Sequence, residues 1–161
     1  MKQRHPPSSI LPKSFLVHFF SVFLFLQPFP VFADSSLKED NALWVYPVVN
    51  AALAQQAISR NGLSAIFKMR LHRWHDGTPV TVFILKDENP LHEKFCKQIL
   101  NVFPHQMRRA WNKAVFSGSG QAPIVLDSIQ EMISKIASIP GAVGYMRMKD
   151  MTEDIKILDI R

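Results

Sequence analysis

Pro140-Gly141-Ala142-Val143-Gly144-Tyr145 is the stretch on which the fold turns. Upstream lies a helical pattern: Ser128 and Glu131 form a capping box, and Ile129, Met132, Ile133 and Ile136 recur at helical spacing. Pro140 and Gly141 stop that helix and feed the chain into a strand. Two glycines flanking Ala142 and Val143 let the backbone approach a neighbour closely, while Val143 and Tyr145 give one strand face its apolar bulk. A helix stop leading into a buried strand belongs inside an α/β domain, near a cleft.

Working outward, residues 42–49 read as a β segment rich in Val, Leu, Trp and Tyr, with Pro47 predicting an edge position or a bulge. Ser59 caps a short helix carrying Leu63, Ile66 and Phe67. Trp74-His75-Asp76-Gly77-Thr78-Pro79 is a turn, in which Asp-Gly supplies a positive φ. It opens a nearly unbroken apolar run over residues 80–85, the pattern of a strand buried on both faces. Asn89 caps a helix with Pro90 at its first position and Leu91, Phe95 and Ile99 on one stripe. Pro104 starts another, with Met107, Ala110, Trp111, Ala114 and Val115 spaced three and four apart, ended by Ser117-Gly118-Ser119-Gly120. After the glycine-flanked strand, residues 154–160 alternate as a last strand. The order strand, helix, strand, three helices, strand, strand predicts a layered α/β sheet.

Residues 1–33 have the three-part organisation of a secretory signal: a basic start (Lys2, Arg4, Lys13), an apolar run from Phe15, and Val31-Phe32-Ala33 as a small-residue cleavage site. A retained membrane anchor is the alternative reading of the same run. Residues 34–41 are polar and unpatterned, a flexible lead-in, and residues 42–161 form the α/β domain. The formal charge of +6 shrinks on processing, because removing three basic residues from 19 leaves 16 against 13 acidic ones, a balance of +3. No run of Lys or Arg longer than Arg108-Arg109 remains, which argues against nucleic acid as a partner. One cysteine, Cys96, excludes an intramolecular disulfide; an exported chain without one fits a bacterial periplasm, with no membrane contact after signal cleavage.

In order along the chain, Val48-Val49-Asn50, Leu63, Ile66-Phe67, Trp74, Asp76-Gly77-Thr78-Pro79-Val80, Phe95, Trp111, Phe116, Gly118, Gly120, Pro123 and the closing run from Pro140 to Tyr145 resemble the phosphate-type periplasmic solute-binding family. The resemblance spans almost all of residues 34–161 and corresponds to one lobe of the longer members. It implies a single lobe of the type 2 periplasmic-binding-protein fold, with a central, mostly parallel sheet flanked by helices. The function it implies is non-enzymatic binding of phosphate or a related small oxyanion, for ABC-type uptake or sensing, with no cofactor.

In the longer members a basic residue and a Ser-Gly-Thr loop at a helix N-terminus hold the anion, where free N–H groups and the helix dipole converge on negative charge. The corresponding loop here is residues 86–92. Lys86 matches the basic position; Asn89 and Pro90 replace the Ser-Gly-Thr element, Pro90 removes a donor, and Asp87 and Glu88 add negative charge. The candidate ligand-binding residues are therefore Lys86, Asn89, Ser117, Gly118 and Ser128. Each also has a plain structural reading: Asn89 and Ser128 as helix caps, Lys86 as a solvated strand end, and residues 117–120 as a helix stop rather than an anion-cradling nest.

His72 and His75 have a metal-site spacing but no nearby Cys or carboxylate to complete a set. His92 and Cys96 share a helix face, yet no orienting group or oxyanion hole accompanies the thiol. Trp74 and Trp111 read as packing residues. Two functions stay open on these residues: oxyanion binding, and a ligand-free interaction module of the cell envelope that contacts another envelope protein or a second copy of itself.

Overall fold

The computed structural model describes residues 44–161. Along the chain these form β1 (Val45–Asn50), β2 (Ala57–Ile58), α1 (Arg60–Phe67), β3 (Thr81–Leu85), α2 (Pro90–Gln98), α3 (Pro104–Phe116), β4 (Ile124–Leu126), α4 (Ile129–Ser138), β5 (Ala142–Arg147), β6 (Ile155–Ile157) and β7 (Asp159–Ile160), with one 3-10 turn at Met148–Asp150. The signal-like segment and the polar lead-in fall outside the described residues.

β5 is the strand on which the sheet is assembled. It pairs parallel with β3 on one side and antiparallel with β1 on the other; β4 extends the sheet beyond β3 and β6 extends it beyond β1, giving the order β4-β3-β5-β1-β6. Since β1 opposes both its neighbours, the other four strands point the same way, and the sheet is mostly parallel.

Adjacent residues of β5 sort the helices onto two faces. Tyr145 faces α1 and α2: its ring stacks on Phe95 at 4.1 Å between centroids and lies 6.3 Å from Phe67. Trp111 of α3 joins that layer by donating its indole N–H to the Phe67 carbonyl, 2.7 Å. Gly144 faces the other way, against Met132 and Ile136 of α4. The cause is topological: the β3-to-β4 and β4-to-β5 crossovers run in opposite directions, so right-handed connections put their helices on opposite faces. The fold is α/β, a central sheet between two helical layers.

Both glycines of the deciding stretch are there for space. A Cβ on Gly141 would sit 1.9 Å from the Pro79 carbonyl oxygen, and the Gly141 carbonyl itself accepts from Thr81 N–H and Trp74 Nε1–H, each at 3.0 Å. Residue 141 thereby ties the start of β5 to the 74–79 turn and the start of β3. In that turn Gly77 takes φ 86°, and Asp76 accepts from Thr78 N–H at 2.9 Å, a bond that holds its carboxyl below the usual range. The predicted caps also form: Ser59, Asn89 and Ser128 accept from the backbone N–H of Gly62, Leu91 and Glu131.

Three features differ from the sequence reading. Pro47 is neither at an edge nor in a bulge; β1 is paired on both sides. The carbonyl of Pro47 accepts from Leu158 N–H at 2.9 Å, so its nitrogen faces the same side, and the ladder to β6 begins only at Val48. The ring leaves the β5 ladder intact and removes only the donor that would have reciprocated the Leu158 bond, beyond the end of β6. Residues 154–160 are two strands, because the chain turns at Leu158 and β7 pairs parallel with β2 instead. The two-residue β2 and the three-residue β4, too short to show a period, are both missing from the predicted order.

Gly141→Ala is expected to destabilise the protein by about 3 kcal/mol, because its methyl group meets backbone. Gly144→Ala meets the movable end of Ile136 at 2.7 Å and is expected to cost about 1 kcal/mol. Urea denaturation of the two variants checks the order; equal midpoints would refute it.

Candidate functional site

The carboxyl ends of β3 and β4 lie side by side, and each strand runs directly into a helix: β3 into α2 and β4 into α4. Because α2 and α4 cover opposite faces, their N-termini open on a shared crevice above the strand ends, the place where open α/β sheets bind ligands. The crevice is a cleft of about 380 Å³ lined by Leu85, Asn89, Leu91, Asp127, Ser128 and Arg147, among others.

Of the sequence candidates, Asn89 and Ser128 line this cleft, and Lys86 stands at its edge with its ammonium 2.6 Å from Asp127. That pairing holds the Lys86 ammonium more firmly protonated than usual. The other cation is Arg147, at the end of β5, whose Nε donates to Asp150 at 2.9 Å. The side-chain oxygens of Asn89 and Ser128 are engaged as caps, and Asp127 N–H donates to Glu131, 3.1 Å away. An incoming anion would compete with Asp127 for Lys86 and find the Leu91 and Glu131 amides already bonded.

Ser117 and Gly118 lie elsewhere. The amides of Ser117, Gly118, Ser119 and Gly120 donate to Lys113, Val115, Ala114 and Ala114 carbonyls respectively, and Gly118 has φ 68°. This is a helix C-terminal stop, with its N–H groups turned back on α3 rather than outward as a nest. His72 and His75 line two different clefts. Among the described residues no three His, Cys, Asp or Glu side chains come together as a metal set.

Beneath the cleft runs a buried polar network. The Tyr145 hydroxyl accepts from Leu85 N–H at 2.8 Å and lies 2.6 Å from His92 Nδ1. With the hydroxyl accepting from the backbone, its proton goes to Nδ1, which leaves the neutral imidazole protonated at Nε2. Nε2 lies 3.6 Å from both Asp87 Oδ1 and Cys96 Sγ. Asp87 is held by Arg108 through contacts of 2.8 and 2.9 Å. Burial keeps the imidazole below the usual histidine range, against the pull of Asp87 and with the help of Arg108. Burial also pushes the Cys96 thiol up to about 12, and the same Nε2 faces both thiol and carboxylate, so the thiol is not primed as a nucleophile.

The sequence reading did not single out Asp127, Arg147, Arg108 or Tyr145 as site residues. Arg147 carried a usable signal: it ends a strand of a mostly parallel sheet, where ligand contacts concentrate. The Asp87–Arg108 pair spans 21 residues and had no local signature.

No family model matches the chain, and a search of curated proteins finds no match. Solved structures do match its fold. An ABC-type phosphate transport receptor from Vibrio cholerae aligns over 72% of this chain and 45% of its own, at 15% identity and a TM-score of 0.56. A putative phosphate ABC transporter substrate-binding protein from Clostridium perfringens, with bound phosphate, aligns over 72% and 44%, at 10% identity and 0.57. PstS from Borrelia burgdorferi aligns over 73% and 47%, at 15% identity and 0.55. The described residues thus carry the α/β fold of phosphate-type periplasmic binding proteins, and the chain spans less than half the length of these structures.

Because the folded-state pKa of His92 lies below its ordinary value of 6.5, the unfolded chain takes up the proton first on acidification. The stability that neutral His92 contributes is present above pH 6.5 and drains away as pH falls below it. Thermal midpoints measured from pH 8 to pH 5 are expected to drop, with a shallower drop in His92→Gln. An unchanged slope in that variant would contradict the assignment.

Proposed function

We propose that this protein is an exported, non-enzymatic solute-binding protein that takes phosphate or a related small oxyanion in the cleft between the N-termini of α2 and α4. The observation that carries the reading is the convergence of those two N-termini on one cleft, with Lys86 and Arg147 beside it. The fold likeness to phosphate transport receptors supports it. So does the signal-like segment, from which we infer cleavage after Ala33 and a periplasmic location. Among the described residues no helix is long and apolar enough to cross a membrane.

A second reading is favoured by a specific contact. Lys86 is already neutralised by Asp127 at 2.6 Å, and Pro90 offers no N–H at the first position of α2. A lobe whose cation is taken can serve as an interaction module, meeting another envelope protein or a second copy of itself.

A thermal-shift panel of phosphate, sulfate, molybdate and methylphosphonate, run with measurement of the mass in solution, separates the two. Oxyanion binding predicts a dose-dependent stabilisation, about 2.7 kcal/mol at a hundredfold excess over the dissociation constant. It should vanish in Lys86→Ala and strengthen in Asp127→Asn, which releases Lys86. No response to any anion together with a stable dimer would leave the interaction reading standing.

A further inference from the structure

A second cleft, of about 350 Å³, lies away from the strand ends, between the C-terminal turn of α1 and the C-terminal half of α3. Lys68, Arg70, His72 and Lys113 line it, together with Ser117 and Ser119, and among the described residues no Asp or Glu does. None of Lys68, Arg70 or Lys113 takes part in an ion pair among the described residues. By contrast, the cations of the strand-end region, Lys86, Arg108 and Arg147, are each paired with a carboxylate.

The helix dipole accounts for part of this charge. Lys113 lies in the last turn of α3 and Lys68 caps α1, where cations complement exposed carbonyls. Arg70 and His72 lie beyond α1 and face no helix end of their own. The cleft is also closed by backbone contacts rather than by long side chains. The carbonyl of Met69, whose φ is 56°, lies 3.4 Å from where a Cβ of Gly120 would stand. Gly120 therefore comes close to Met69, and the groove has Lys68, Arg70 and His72 on one side and Lys113, Ser117 and Ser119 on the other. Ser117 Oγ and Ser119 Oγ are 2.8 Å apart and both reach the Ala114 carbonyl, at 3.2 and 3.4 Å, so the hydroxyls are engaged with each other and with α3 and leave the cations as the groups open to a ligand.

We propose that this basic cleft is a second binding site, for a ligand that carries a phosphate dianion or a chain of phosphates. Convergent Lys and Arg, with no carboxylate lining the cleft among the described residues, select multiply charged oxyanions over single charges, because each added charge gains a further charge-assisted hydrogen bond. The site is independent of the strand-end cleft and does not rest on Lys86.

Isothermal titration of the full chain with inorganic tripolyphosphate, at fixed ionic strength, tests it. Saturable binding is expected in the Lys86→Ala background, which removes the strand-end cation, as well as in the parent, and in both it is weakened about tenfold in Lys113→Glu and again in Arg70→Glu. Both substituted residues are exposed, so the variants should melt as the parent does. In parallel, flotation with phosphatidylcholine vesicles containing phosphatidic acid distinguishes the source: capture lost in Lys113→Glu, with no response to tripolyphosphate, assigns the phosphate to a lipid headgroup. Binding that never saturates, that survives both charge reversals, or that is lost only in Lys86→Ala overturns the proposal.

Discussion

The hydroxyl of Tyr145 is the atom through which the sheet and the loop that follows β3 are made one object. The β3–β5 ladder is registered only at Thr81 with Ala142 and Val82 with Val143. Further along the strand, the Leu85 N–H is taken by Tyr145 instead of by strand backbone. A fully buried phenol can do this only because its own proton has a taker, His92 Nδ1, and the imidazole in turn is backed by Asp87 and Arg108. Remove the phenol or the imidazole and a polar atom is stranded in a dry interior, at a cost of about 1–3 kcal/mol; Asp87 and Arg108 sit at its partly exposed rim. The loop of residues 86–89, from which Lys86 extends, is thereby fixed at both ends, by the end of β3 and by His92 in the first turn of α2.

That rigidity bears on what the strand-end cleft can do. Its geometry is the one α/β sheets use for anions, but the same atoms that could greet an anion maintain the helices: Asn89 and Ser128 as caps, Lys86 as the partner of Asp127. Binding there is an exchange of partners rather than the filling of a vacant site. In the second cleft the cations have no such partners among the described residues, and the two regions differ in that respect more than in shape.

Much of the architecture was legible in the sequence because it depends on local rules. Caps at Ser59, Asn89 and Ser128, the Asp76-Gly77 turn, and the glycines flanking Ala142 and Val143 act through nearest neighbours or through the absence of a side chain. What was not legible depends on partners far away in sequence. Pro47 reads as an edge residue until Leu158 shows which side its nitrogen faces, and the last strand reads as one until β2 claims half of it. The site divides the same way: Lys86, Asn89 and Ser128 were found by helix-start chemistry, whereas Asp127 and Arg147 enter only through strand order. Ser117 and Gly118 were grouped with them by composition, but their amides turn back on α3.

The placement of β1 has a consequence for the order in which the molecule can be made. β1 is the first strand of the described chain, yet its partners are β5 and β6, so that Val45 lies opposite Arg147 and Asn50 opposite Ile155. A ribosome delivers β1 long before either partner exists. Loop closure over that span is slow compared with local helix formation, and the sheet cannot be completed until its C-terminal strands have emerged. A chain of this topology keeps its sheet open until β5 and β6 have both been made, so the N-terminal strand waits unpaired for most of synthesis.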